Sequence, residues 1–310
     1  MKVLLFTHKQ DIDGMGCAIL ARKAFSELDY IPCKTFDINC QVSNQIENKD
    51  IYKYDLVFVT DLCIKEPLLS KINKDEVLKN KIVVIDHHKS EIDEGNDKYD
   101  FVNITIEKSG TKVSGTSLFY DYLKNHSYLK ENSGLSELVE LTRSYDVWDW
   151  VKDNNTKARK LHILFEEIGY KKYIEVIERM LEKYHEIHFN EKENNIIDKF
   201  LVNLENDIKD ILQNMKVYDI IINNRSYKIG YVKCMYKYRN DISEYVKKDN
   251  IYDVDTVGMI MLDTKTVSYR NTKDIDASAI ATYFGGKGHK SAASNPQDNE
   301  KFKEELELFD

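Results

Sequence analysis

The chain lacks the features of a secreted, membrane-spanning or polymer-coating protein. Its five cysteines, at positions 17, 33, 40, 63 and 234, are odd in number and form no Cys-x-x-Cys pair. That argues against a disulfide framework and reads as reduced thiols in a cytosol. No stretch approaches the roughly 18 apolar residues of a membrane span. The apolar run ahead of His8 covers four residues, Val3 to Phe6, too few for a signal peptide. A cytoplasmic location with no membrane partner is the expectation. Excess positive charge is also missing: the formal net charge is −8. A long duplex nucleic acid would need a basic surface and is not an expected partner, whereas a small phosphate substrate steered by metal ions needs none. There is no internal repeat, no low-complexity tract and no basic, aromatic-rich segment of the kind that grips single strands.

What is present is the composition of a globular protein, 42% hydrophobic and 32% charged over 310 residues, room for one large domain or two medium ones. Three apolar runs, Val3–Phe6, Leu56–Val59 and Ile82–Ile85, each end in residues that bind metals: Thr7-His8-Lys9-Gln10-Asp11-Ile12-Asp13-Gly14, Thr60-Asp61 and Asp86-His87-His88. The spacing predicts helices over Gly14–Leu28, Thr116–Leu123 and Leu135–Tyr145. Strands alternating with helices predict an α/β fold with a doubly wound parallel sheet, in which ligands bind beyond the carboxyl ends of the strands. The polar run 152–160 breaks this pattern, and long helices are expected at 171–188 and 191–214. Further on, hairpins are expected at 219–222 with 228–233, turning at Asn223-Asn224-Arg225, and at 256–262 with 266–269. Helices are expected near 241–248 and 277–284. The predicted domains are 1–151, a helical connector at 152–215, and a smaller α/β domain at 216–310.

Carboxylates and imidazoles placed just past parallel strands converge in space. His8, Asp11, Asp13, Asp61 and His87, with Asp146 from Tyr145-Asp146-Val147-Trp148-Asp149-Trp150, offer six oxygen or nitrogen ligands and no thiol. Such a set suits two divalent ions, Mn²⁺ or Mg²⁺, better than a structural zinc. Two such ions form a clamp for phosphoryl displacement, and a carboxylate shared between them is best placed centrally, which points to Asp61. Taken singly, Asp11 or Asp61 would be read as a helix N-cap, and Asp149 as a solvent-facing neighbour of Asp146. His126, His162, His185 and His188 lie in charged helical context and are expected at the surface. Near the end, Gly285-Gly286-Lys287-Gly288-His289 holds three of the twelve glycines. It reads as either a phosphate cradle or a tight structural turn. Ala292-Ala293 suggests close helix packing after it, and Arg270 could fork a phosphate.

At these residues the chain resembles the DHH–DHHA1 phosphoesterase superfamily. Asp86-His87-His88 is similar to the signature of that family. Asp11-Ile12-Asp13-Gly14, Thr60-Asp61 and Asp146 resemble its other N-terminal motifs, and Gly285 to Ala293 resembles the Gly-Gly-x-Gly-His-x-x-Ala-Ala motif of its DHHA1 domain. Asp-x-Asp-Gly-x-Gly-Cys at 11–17, Asp-His-His-Lys at 86–89 and Tyr-Asp-x-Trp-x-Trp at 145–150 look most like the type B nanoRNases, which degrade very short RNA. The resemblance implies one Mn²⁺ on His8, Asp11 and Asp61 and another on Asp13, Asp61, His87 and Asp146. It implies His88 near the scissile phosphate and Asp86 orienting an imidazole. It also implies that Arg270, His289 and the Gly286 and Gly288 backbone grip a substrate phosphate across a cleft between domains. His8 stands three residues before Asp11, where four is common in the superfamily, and Lys287 fills a place where glycine is frequent.

The leading expectation is a metal-dependent phosphodiesterase acting on short RNA or DNA oligonucleotides. Alternatives are a phosphodiesterase of signalling dinucleotides, a 3′-phosphoadenosine 5′-phosphate phosphatase, a RecJ-like single-strand DNA exonuclease, and a non-catalytic nucleotide-binding protein. A pyrophosphatase of the DHH class is disfavoured, because its second domain lacks such a glycine tract. A homodimer is left open.

Overall fold

The computed structural model describes residues 1–249 and 252–305. The chain divides into two compact units, Met1–Phe200 and Leu201–Asp310. In the first, strands β1 (Lys2–His8), β2 (Glu27–Cys33), β3 (Leu56–Thr60), β4 (Ile82–Asp86) and β5 (Val102–Ile104) form one sheet in the order β2-β1-β3-β4-β5. Every pairing in it is parallel, so all strands end at one edge. The connections carry α1 (Ile12–Ala24), α2 (Ile38–Glu47), α3 (Leu68–Lys74), α4 (Glu76–Lys81) and α5 (Lys89–Asp93). A short hairpin of β6 (Glu107–Lys108) and β7 (Thr111–Lys112) precedes α6 (Gly115–Asn125), α7 (Ser133–Asp146), α8 (Asp149–Lys152) and α9 (Thr156–Tyr184).

The apolar strands are buried on both faces. Leu4, Phe6, Val57, Val59 and Val84 pack with Ile38, Val42, Leu69 and Ile72 on one side. Alternation turns Phe58 to the other, where its ring meets Phe119 and Tyr122 of α6 at 5.0 and 5.4 Å. Each fully buried side chain of this size contributes about 1.5–3 kcal/mol. The sheet is thus doubly wound, as expected. Two local expectations fail. The first helix stops at Ala24, and Leu28 lies in β2, which pairs only with β1. As an edge strand, β2 tolerates Glu27, Asp29 and Pro32, which hid it in the sequence. The polar run at 152–160 does not break structure either, since Asn155 caps α9 by accepting from the Ala158 amide. That helix runs on to Tyr184 with a break in helical geometry at Gly169. It packs on α1 and α7, so much of the stretch read as a connector lies with the first unit.

The boundary between units falls within α10 (Glu191–Gln213). The second unit holds β8 (Lys216–Ile222), β9 (Arg225–Cys234), α11 (Arg239–Asp249), β10 (Thr256–Met261), β11 (Thr266–Asn271), α12 (Ala277–Tyr283), β12 (Lys287–His289), β13 (Ala292–Pro296) and α13 (Glu300–Glu305). Its sheet is mixed, in the order β12-β13-β11-β10-β9-β8, with β9 and β10 parallel and the other pairs antiparallel. Asn223 and Asn224 make the expected hairpin turn, both with positive φ, 49° and 64°, the conformation a two-residue hairpin loop requires. Among the described residues no helix is long and apolar enough to cross a membrane.

Candidate metal centre

The ends of β1, β3 and β4 deliver the expected side chains to one place. Asp11 is the N-cap of α1, accepting from the Gly14 amide at 3.0 Å, and its other oxygen lies 2.6 Å from His8 Nδ1. Asp61, just past β3, caps no helix. It has a left-handed backbone, φ 56°, and its amide donates to the Ile85 carbonyl on β4. A non-glycine residue in that conformation is uncommon and, among branched or bulky residues, strained; aspartate tolerates it best with asparagine. Asp13 is buried, and its carboxylate accepts from the amides of Gly115 and Thr116 at 2.6 and 2.9 Å. These are the first residues of α6, whose exposed amides favour an anion. Nothing in the local sequence of Asp13 signals this seat, which lies a hundred residues along the chain. Gly115 also makes room: a Cβ there would sit 2.7 Å from Asp61 Cβ and 3.0 Å from Asp13 Oδ2.

Among the described residues three groups of ligand-type atoms result, each with its atoms within 4.8 Å of one another: Asp61 with Asp86, His87 and His88, and the two that hold the six expected ligands, His8 with Asp11 and Asp61, and Asp13 with His87 and Asp146. His87 Nε2 stands 3.3 Å from Asp61 Oδ1, 3.6 Å from Asp13 Oδ2 and 3.6 Å from Asp146 Oδ2. Asp61 touches both groups, since its Oδ2 is 3.5 Å from His8 Nδ1. All six sequence-predicted ligands are therefore brought together. The charge balance is unfavourable without a cation. Burial and the charges of Asp13 and Asp11 push the Asp61 carboxyl well above its usual range. Burial and Asp13 push Asp146 up to about 7. Burial opposes protonation of His8, but Asp11 and Asp61 raise it to about 10. Asp61 Oδ2 and His87 Nε2 are buried and make no hydrogen bond, a costly state for polar atoms. Unpartnered hard donors amid surplus negative charge are what a divalent cation relieves, so the residues fit such an ion.

Beside this cluster, His88 Nδ1 lies 2.7 Å from Asp86 Oδ1. Asp86 is buried at the end of β4, and the imidazole it holds is that of His88; to His87 it gives a backbone contact, accepting from the amide at 2.8 Å. His88 is half exposed and is raised by that bond to Asp86, with burial opposing. Asp149 pairs with Arg143 at 2.7 Å and is thereby kept apart from the ligand set. His126, His185 and His188 are exposed. His162 is not. Its ring stacks on Tyr145 at 4.2 Å, its Nδ1 is sealed from solvent without a partner, and burial pushes it down to about 4. Its helical, charged neighbourhood concealed a position on the inner face of α9.

The second unit arranges the remaining candidates in a row. Arg270 on β11 faces Ala292 on β13, and Ala292 faces His289 on β12. Residues directly opposite across a ladder project to the same face, so Arg270 and His289 flank a small alanine, two strand spacings or about 10 Å apart. Ala292 and Ala293 thus belong to a strand, and Ala293 packs with Ala277, Ile280 and Ala281 of α12, the close helix packing expected there. Arg270 donates to Ser268 Oγ and the Tyr269 carbonyl, and no carboxylate pairs with it among the described residues. Burial and the nearby Arg239 lower it to about 10. His289 lines a hollow of about 540 Å³ together with Lys247, Asn271, Lys290 and Ser291. The glycine tract closes α12: Gly285 has φ 74°, and the Gly285 and Gly286 amides donate to the Thr282 and Ala281 carbonyls, a Schellman cap. Gly286 then passes so close to β13 that a Cβ would lie 2.1 Å from the Ser294 carbonyl oxygen, and at Gly288 one would lie 2.3 Å from Ala293 Cα. These glycines serve a cap and a strand contact, so the Gly286 amide is not free to cradle an anion.

Residues 2–143 match the model of the DHH family, N-terminal domain. The chain carries a DHH domain. It is 29% identical over 293 residues to oligoribonuclease NrnB of Bacillus subtilis (strain 168), covering 93% of this chain and 71% of that one. Two solved structures share the fold. Exonuclease RecJ bound to manganese aligns with a TM-score of 0.56 and 13% identity, over 98% of this chain and 87% of that one. The pGpG-specific phosphodiesterase PggH from Vibrio cholerae aligns with a TM-score of 0.53 and 12% identity, over 96% and 93%. The resemblance drawn from the motifs is borne out by the domain match and by the similarity to NrnB.

Proposed function

We propose that this chain is a phosphodiesterase that hydrolyses short oligonucleotides to mononucleotides with two divalent ions, Mn²⁺ foremost. The observation that carries the reading is the convergence of Asp13, Asp61 and Asp146 on the unpartnered Nε2 of His87. Similarity to an oligoribonuclease along most of the chain supports it. His8, Asp11 and Asp61 would hold one ion, and Asp13, Asp61, His87 and Asp146 the other. Such a pair supplies an activated water and a clamp on the phosphoryl oxygens. The chain's own groups supply the rest. The Gly115 and Thr116 amides fix the Asp13 carboxylate, and the β4 carbonyl of Ile85 fixes the turn that presents Asp61. Asp86 engages His88 Nδ1, so a proton for the leaving oxygen would sit on Nε2. Arg270 and His289 would bind a substrate phosphate, with Ala292 leaving the space between them.

A time course on 5′-labelled RNA and DNA oligomers of graded length, with Mn²⁺, tests this. Di- to pentanucleotides are expected to fall to mononucleotides, faster than long strands. Binding without cleavage would favour a nucleotide-binding protein instead. Faster turnover of a signalling dinucleotide, or of 3′-phosphoadenosine 5′-phosphate, would move the substrate assignment.

A further inference from the structure

Trp148 is the most unusual side chain near the candidate centre. It is 46% exposed, although indole is among the costliest groups to leave in water. Its backbone is left-handed, φ 67° and ψ 10°, a strained state for a bulky residue that persists only where the surroundings enforce it. Here they do. Arg143 ties the turn down through Asp149 and the Lys112 carbonyl, at 2.7 and 3.1 Å. Trp148 follows Asp146 by two residues, so their Cα atoms are no more than about 7 Å apart. Its ring lies 5.9 Å from that of Trp150 at 37°, and Trp150 stacks in turn on Tyr145 at 5.6 Å, which stacks on His162. Along the ladder Trp150 is buried, Tyr145 and His162 are half-buried, and Trp148 ends it as an exposed indole.

We propose that Trp148 is a platform on which a nucleobase of the substrate stacks beside the Asp13–His87–Asp146 group. The inference rests on the reading of this chain as an enzyme of nucleotides and adds to it how the base next to the scissile phosphate is held. The polar neighbours Asp149, Lys152, Asp153 and Asn154 leave only the indole and Val151 as exposed apolar surface here, which is less than a protein-docking patch. A flat π-face suits a planar ring, and because every base has one, the platform tolerates any base sequence.

The test compares a dinucleotide with an analogue lacking the base next to the scissile phosphate. Wild type is expected to favour the complete substrate by about tenfold in kcat/KM, through KM. Trp148→Ala should bring that ratio close to one, and Trp148→Phe should keep most of it. Fluorescence gives a second measurement, because the chain has two tryptophans and Trp150 is buried. With Mg²⁺ present, adenosine 5′-monophosphate should quench wild-type emission while ribose 5-phosphate does not, and the quench should vanish in Trp148→Phe. A full base preference in Trp148→Ala, or an undiminished quench in Trp148→Phe, would overturn the proposal. If wild type cleaves no oligonucleotide, the proposed function fails, but the quench still decides the stacking question. If Trp148→Ala fails to fold, Trp148→Phe and the quench carry the decision.

Discussion

His87 Nε2 stands 3.3 Å from Asp61 Oδ1, yet neither that nitrogen nor the other Asp61 oxygen makes a hydrogen bond. The pair is arranged for a third party, and Asp61 is the residue whose loss should affect both ligand groups. Asp61→Asn keeps the shape and tolerates the left-handed backbone. Turnover should fall by more than about 100-fold, with CD spectra unchanged. Near-normal activity in this variant would sink the shared-ligand assignment.

The same substitution should act in the opposite direction on the metal-free protein. Removing one of several crowded, buried carboxylates relieves repulsion that the fold carries. At pH 8 in chelator, Asp61→Asn should melt about 2–4 °C above wild type, a shift worth about 1 kcal/mol. Saturating Mn²⁺ should reverse the order, since an ion at 100 times its Kd stabilises by about 2.7 kcal/mol. Equal melting temperatures in chelator would mean that the cluster is not strained by its charge.

His162, whose shift comes first from burial and is opposed by the Asp11 charge, gives a pH prediction at a residue outside the six expected ligands. Its folded pKa is about 4, below the ordinary value of about 6.5. The unfolded chain therefore takes up a proton first as pH falls. The stability His162 confers is complete above about pH 6.5 and is lost progressively down to about pH 4. Urea midpoints at pH 7.5 and pH 5 should drop further for wild type than for His162→Phe. A parallel drop in both would place the acid sensitivity elsewhere.

Gly286→Ala adds one methyl group against the backbone of β13, 2.1 Å from the Ser294 oxygen. Overpacking of this kind costs about 1–3 kcal/mol, and urea unfolding should show it. A neutral result would mean that β12 can move away from β13, reopening a ligand role for the tract.

Arg270→Ala should raise KM for oligonucleotides about tenfold while kcat changes little, because an uncompensated guanidinium contributes binding rather than chemistry. Ala292→Leu, which fills the space between Arg270 and His289, should act in the same direction. An equal loss in kcat would assign Arg270 to the reaction itself.

The strands carrying the metal-type residues were legible because parallel strands buried on both faces read as unbroken apolar runs, and a polar residue after such a run has one place to go. Local reading missed what depends on distant partners. Edge strand β2 needs only one buried flank. Asp13 owes its fixed carboxylate to the amides of α6. His162 is half-buried, with its ring stacked on Tyr145. The glycines beside Ala292-Ala293 are required by a neighbouring strand, which their own spacing does not distinguish from a phosphate loop.

The left-handed turn at Asp61 narrows the chemical alphabet of that position twice over. Backbone sterics there admit glycine, asparagine and aspartate at little cost, while binding a hard cation calls for a carboxylate. Glutamate would satisfy the second requirement and violate the first. In a library sorted only for soluble, folded protein, position 61 should accept the two small neutral residues. In one sorted for turnover it should return aspartate alone, so comparing the two selections would separate the demands of the chain from those of its ion.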